Sequence, residues 1–107
     1  MSKLIEVTDQ NFEEKVLSNE IPVVVFFSTP WASPCGIVRR TLESLVSKYE
    51  EKCLFMEMNI DDNRNTFDKY SIRAVPSIIF FKSGSKEGTL DGTPNQNKIE
   101  AEIAKLL

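Results

Sequence analysis

Histidine is absent from the 107 residues, and with it go Ser-His and Cys-His nucleophile pairs and every zinc site that uses imidazole. Cysteine is scarce: Cys35 and Cys53 alone are too few for a thiolate zinc cage or a disulfide framework, so no metal site is expected. No apolar run reaches the length of a membrane span. Met1-Ser2-Lys3 leads into Leu4-Ile5-Glu6-Val7 rather than into the apolar centre of a signal peptide, so a cytoplasmic chain without membrane attachment is expected. Charge of one sign is also lacking: the net −3 comes from interspersed acidic and basic residues with no basic stripe, which argues against nucleic-acid binding. Linkers, repeats and low-complexity stretches are missing too. Residues 1–107 therefore read as a single domain, long enough to bury a core without staples.

What is present centres on Trp31-Ala32-Ser33-Pro34-Cys35. Before it runs Val23-Val24-Val25-Phe26-Phe27, apolar without alternation, as a strand covered on both faces would be. After it Val38, Leu42, Leu45, Val46 and Tyr49 recur with helical period, predicting a helix to about Glu50. Ser33 suits the cap and Pro34 the first helical position, because a missing N–H costs nothing there. Cys35 then falls in the first turn, where the positive end of the helix dipole favours a thiolate.

Around this junction the chain alternates. Leu4 to Val7 predicts a short strand, and Thr8 and Asp9 would cap a helix carrying Phe12, Val16 and Leu17. Cys53 to Met58 reads as a third strand and Thr66 to Tyr70 as a short helix turning Phe67 and Tyr70 inward. Ser77 to Phe81 and a strand near Gly88 to Asp91, joined through Ser83-Gly84-Ser85, predict an antiparallel hairpin. Thr93 with Pro94, or alternatively Asn95, would cap a last helix whose inner face is Ile99, Ile103 and Leu106. The order gives an α/β fold: an open mixed sheet with helices on both faces.

At this point the chain resembles the thioredoxin family over nearly its whole length. The family motif W-C-G-P-C stands here as Trp31-Ala32-Ser33-Pro34-Cys35; Val75-Pro76 precedes a buried strand, Asn59-Ile60-Asp61 follows the third strand, and Gly92 follows the last. The resemblance implies a thioredoxin fold, with a central mixed five-stranded sheet flanked on both faces by four helices. It also implies a cis Val75-Pro76 bond and a substrate groove lined by Trp31, Ser33, Pro34, Ile60, Val75, Pro76, Gly92 and Thr93. No cofactor is implied. The partners would be protein disulfides and an electron donor of the thioredoxin-reductase type, and the protein itself a monomer.

Thioredoxin chemistry is thiol–disulfide exchange: one cysteine attacks a substrate disulfide and the second resolves the mixed disulfide. Here Cys35 matches the resolving thiol and Ala32 stands at the attacking position, so the chain as written should be inactive or nearly so in dithiol exchange. Cys53, roughly five residues at about 3.3 Å each from the motif, is too remote to substitute for it. The family's buried aspartate position is Phe26 and the lysine facing it is Glu57. Glu57, between Met56 and Met58, reads either as a strand-end carboxylate reaching water or as the buried acid relocated one strand across to exchange a proton with Cys35. Arg39-Arg40 and Asp61-Asp62 read as solvated surface. Two other functions stay open: a redox-silent peptide-binding module using the groove, and a monothiol exchanger acting through Cys35, for example with glutathione.

Overall fold

The structure, a computed structural model, describes residues 3–30 and 32–107. Five strands, β1 (Ile5–Glu6), β2 (Val23–Ser28), β3 (Leu54–Asn59), β4 (Ser77–Lys82) and β5 (Ser85–Asp91), form one sheet in the order β1-β3-β2-β4-β5. β3 runs parallel to β1 and β2, whereas β4 is antiparallel to both β2 and β5. The helices are α1 (Ser33–Val46), α2 (Arg64–Lys69), α3 (Gln96–Ala104) and a π-helical turn at Glu13–Leu17; Ile60–Asp62 adds a 3-10 turn. This is the mixed α/β sheet expected. Among the described residues, no helix is long and apolar enough to cross a membrane.

The lack of alternation in β2 now has its cause. All six of its residues are buried, because Val24 and Phe26 pack beneath α1 and α3 while Val23, Val25 and Phe27 pack on the opposite face with Phe12, Val16 and Ile72. Each layer is an apolar cluster, and burying side chains of this size is worth about 1.5–3 kcal/mol apiece. Phe67 and Tyr70 close the second layer, as expected, with the Tyr70 ring edge-on to Phe81 at 5.4 Å. The β4–β5 turn takes positive φ at both Ser83 and Gly84, the backbone that a two-residue hairpin loop requires.

Three capping and boundary expectations are corrected, and one choice between two caps is decided. Thr8 and Asp9 do not cap the first helix, whose start at Phe12 has no side-chain cap. Asp9 instead accepts hydrogen bonds from Asn65 N, Thr66 N and Thr66 Oγ1, at 3.1, 2.9 and 2.6 Å, and so caps α2 across the fold. Ser33 is already helical and Ala32 occupies the cap position, extended at φ −93° and ψ 115°. α1 ends at Val46 rather than near Glu50. Asn95, not Thr93, caps α3, accepting from Lys98 N at 2.9 Å.

The Asp9 cap carries a testable pH dependence. Burial raises its pKa, but the hydrogen bonds from Thr66 and Asn65 outweigh this and hold it below the ordinary 3.8. A depressed carboxylate stabilises the fold above its unfolded value and loses that contribution as pH falls through the folded one. Asp9→Ala is expected to cost about 1 kcal/mol near neutral pH, with the gap to the parent closing as pH falls from the ordinary carboxylate range through the depressed folded value in denaturant unfolding.

Candidate active site

Strand register places the motif and its expected partners at one end of the sheet. Ser28, the last residue of β2, is paired with Asn59, the last of β3; Phe27 is paired with Ser77, the first of β4, and Ser77 with Asp91, the last of β5. The segments beyond those strand ends include Thr29 and Pro30, Ile60, Val75-Pro76 and Gly92-Thr93. Val75-Pro76 is cis, as expected. The Pro76 carbonyl accepts from Gly92 N at 2.9 Å, and Ser77 Oγ donates to Asp91 Oδ1 at 2.8 Å, tying the β4 and β5 loops together.

Ala32 and Val75 both pack on the cluster that contains Cys35, and Val75 also touches the cluster that contains Ile60. Ser33, Pro34, Gly92 and Thr93 are exposed around them. Trp31, predicted to line the groove, lies outside the described residues.

The motif turn is closed by Cys35 N donating to the Ala32 carbonyl at 3.0 Å. Pro34 lies in the first helical turn, where its missing N–H leaves nothing unpaired. The turn sets the two positions of the motif side by side. They differ in access: Ala32 is half-buried, whereas Cys35 is 1% exposed beneath it, unpaired and surrounded by Phe26, Val38 and Leu42. As written, the only sulfur here is covered.

Cys53 lies next to Leu54, which pairs with Val23 at the opposite end of the sheet, so the structure separates it from the motif. Burial pushes its thiol up to about 12. Cys53 in the folded protein should therefore resist alkylation near pH 8, and unfolding in denaturant should expose it; mass spectrometry of the labelled peptide reads the difference.

Glu57 is paired in register with Phe26, and parallel neighbours in register project to the same face, here the α1 side. It is not an isolated acid. Both Glu57 carboxylate oxygens accept from Arg39 Nε at 3.0 Å, Arg39 Nη2 adds a further bond, and Ser28 Oγ donates to Glu57 Oε2 at 2.7 Å. To the two alternatives read for Glu57, a strand-end carboxylate and a relocated buried acid, the structure adds its surroundings: the carboxylate has a guanidinium and a hydroxyl as partners, and its side chain is 23% exposed. Hydrogen bonds to Glu57 raise the Arg39 pKa, against the lowering effect of desolvation; Glu57, Cys35 and Glu43 add attraction.

Arg39 is the residue that sequence reasoning missed. Taken with Arg40 as solvated surface, it is instead folded over the Phe26 ring, 5.7 Å from the centroid, while Arg40 is exposed. Its spacing of four from Cys35, one helical turn, was the available signal. Together with Ser28, Pro30 and Asn59 the ion pair lines a pocket of about 240 Å³ that reaches Glu6 on β1. Among the described residues no three ionisable side chains gather as metal ligands. What the arrangement offers is a covered thiol at a helix start, a vacant methyl position beside it and a fixed ion pair one turn further along.

Comparison with known proteins gives a consistent result. The family model described as Thioredoxin matches residues 3–105. The chain is 34% identical over 107 residues, the whole of both chains, to a thioredoxin of Synechocystis sp.. It is 38% identical over 93 residues to a thioredoxin of Rickettsia bellii, covering 87% of this chain and 89% of that one. To a thioredoxin of Porphyra purpurea the identity is 32% over 102 residues, 95% of each.

Proposed function

The chain belongs to the thioredoxin family, and from that premise we propose a thiol–disulfide oxidoreductase site for protein disulfides that retains its resolving thiol, Cys35, and lacks its attacking one. The observation that carries this reading is the motif turn itself. Cys35 N bonds the Ala32 carbonyl, and Val75, next to Pro76, packs on the same cluster as both. In this reading a substrate chain lies extended along Trp31, Ser33, Pro34, Ile60, Val75, Pro76, Gly92 and Thr93, and its disulfide meets position 32. The backbone beside Pro76 would pair with it as an added strand.

Ala32 has no lone pair with which to attack sulfur, so the unaltered chain binds and does not turn over. An electron donor of the thioredoxin-reductase type would keep a complete site reduced. A cytoplasmic location agrees with two cysteines that are both free.

A second reading, a redox-silent module that holds peptides in the same groove, is favoured by the burial of Cys35 and by Phe26 replacing an acid. A trapping experiment separates the two. Ala32→Cys combined with Cys35→Ser is expected to form a mixed disulfide through position 32 with a disulfide-bonded model protein, stable until a dithiol is added. Failure to form it in the folded variant would leave only the peptide-holding reading.

A further inference from the structure

We infer that the pocket beside Pro76, on the face of the sheet away from α1, takes an acidic side chain of the bound peptide between Arg73 and Lys86. The inference rests on the exchange function proposed above and names a substrate preference for the same groove: an aspartate or glutamate close to the disulfide.

A break in strand register builds one wall. Ile79 is paired with Thr89 and Phe80 with Gly88, but Phe81 is paired with Lys86, so Glu87 is passed over in a bulge. Residues paired across an antiparallel ladder project to the same face. Asp91, Thr89 and Lys86 therefore share the face of Ser77, Ile79 and Phe81. An unbroken register would put Glu87 in the place of Lys86. The bulge thus exchanges a carboxylate for an ammonium on this face, re-aiming a side chain as bulges beside sites do.

The segment after α2 builds the other wall. Tyr70 N and Ile72 N donate to the Thr66 and Phe67 carbonyls at 3.2 and 3.1 Å, and Ser71 takes φ 53°, the left-handed turn that ends the helix. Ile72 then joins Ile79 in the second apolar layer, and Arg73 is exposed next to it. Arg73 and Lys86 line one pocket of about 240 Å³ with Ile72 and Ile79. Its floor is apolar and its rim cationic.

The charges that are already matched decide the sign of the occupant. Asp91, also in the lining, accepts from Ser77 Oγ at 2.8 Å. Among the described residues neither Arg73 nor Lys86 forms an ion pair. The pocket carries two positive charges against one negative, in a chain whose net charge is −3. Hydroxyls of Tyr70, Ser71 and Thr89 add donors around it. A carboxylate matches the planar fork of an arginine, and the second cation adds attraction.

The adjoining groove says where that carboxylate comes from. Arg73 lies two residues before Val75, Ser77 follows Pro76, and Asp91 precedes Gly92, so three lining residues are chain neighbours of the groove. A peptide extended along Val75, Pro76 and Gly92 passes the mouth of the pocket, and alternate side chains of such a strand turn to one side. An acidic side chain entering there keeps its stem over Ile72 and Ile79 and its carboxylate at Arg73 and Lys86.

Fluorescence anisotropy on the unaltered chain tests this without any turnover. The probes are labelled peptides of one sequence around a methylated cysteine, with Glu, Gln or Lys placed in turn at each flanking position. At one position or more the Glu peptide is expected to bind about 5-fold tighter than the Gln peptide, and tighter still than the Lys peptide, with the gap narrowing as salt is raised. Arg73→Met and Lys86→Met should each reduce the preference, and Arg73→Met combined with Lys86→Glu should reverse it. Lys82→Met, which removes an exposed cation at the far end of β4, should leave it intact. In an Ala32→Cys background, the same peptides in mixed disulfide with a small thiol should show the preference in KM, with kcat little changed.

Equal binding of the Glu, Gln and Lys peptides at every position would overturn the inference. So would loss of the preference in Lys82→Met as complete as in Arg73→Met, the mark of general attraction. Binding of inorganic phosphate with no preference among the peptides would make this a small-anion site and overturn it as well. If the Glu preference appears in the unaltered chain and Ala32→Cys has no turnover, the exchange function fails and the pocket stands. If Ala32→Cys turns over all three peptides with equal KM, the pocket fails and the exchange function stands.

Discussion

Ala32→Cys is expected to raise dithiol-driven reduction of a protein disulfide on the order of 100-fold or more above the unaltered chain, which should remain at the uncatalysed rate. The size of the effect comes from having a second thiol in the same turn. A lone attacking thiol would stall as a mixed disulfide, and a lone resolving thiol has nothing to resolve. The hydrogen bond from Cys35 N to the Ala32 carbonyl, 3.0 Å, closes a single turn, and neighbours of that kind meet the Cα separation that a disulfide needs. Release of the substrate is then intramolecular. Ala32→Ser, similar in size but without sulfur, should stay at background in the same assay.

Phe26→Ala is expected to lower unfolding free energy by about 3–5 kcal/mol, read as a fall in the denaturant midpoint with little change in slope. Phe26 is fully buried in the central strand and packs in one cluster with Cys35, Val38 and Leu42 from α1. Truncation removes the ring and leaves a cavity bounded by β2 and the helix, elements too constrained on both sides to collapse into it. The same ring is the floor beneath the Arg39 guanidinium. A milder Phe26→Leu should preserve most of the stability while removing the ring face from the cation.

Much of this architecture was legible because a few local patterns were strong. The run Val23 to Phe27 shows neither helical nor alternating period, and only a strand with both faces covered satisfies that; the two apolar clusters are its two sides. Val75-Pro76 before a second such run, and Gly92 after the last strand, placed the loops that meet the motif. Caps were less legible, because several residues competed for each helix start. Ser33 and Asp9 have the right chemistry for a cap, but position 32 is the last extended residue before α1, and Asp9 finds the free N–H groups of α2 rather than those of its own neighbours.

The site's charges were read least well. A pair of adjacent arginines on a helix points in different directions, and nothing in Arg39-Arg40 taken alone says that one is folded inward. Glu57 between two methionines signalled an unusual carboxylate, and its strand register with Phe26 put it on the correct face. Its partner comes from a different element, eighteen residues away in sequence, and only the packing of α1 over β3 brings the two together.

The most direct measurement is a redox equilibration of the Ala32→Cys chain against graded ratios of reduced to oxidised dithiol, followed by alkylation and peptide mass analysis. The account expects a two-thiol transition confined to positions 32 and 35, with Cys53 free throughout and the fold retained. A folded protein in which position 32 never pairs with Cys35, or in which each sulfur is lost separately, would contradict it.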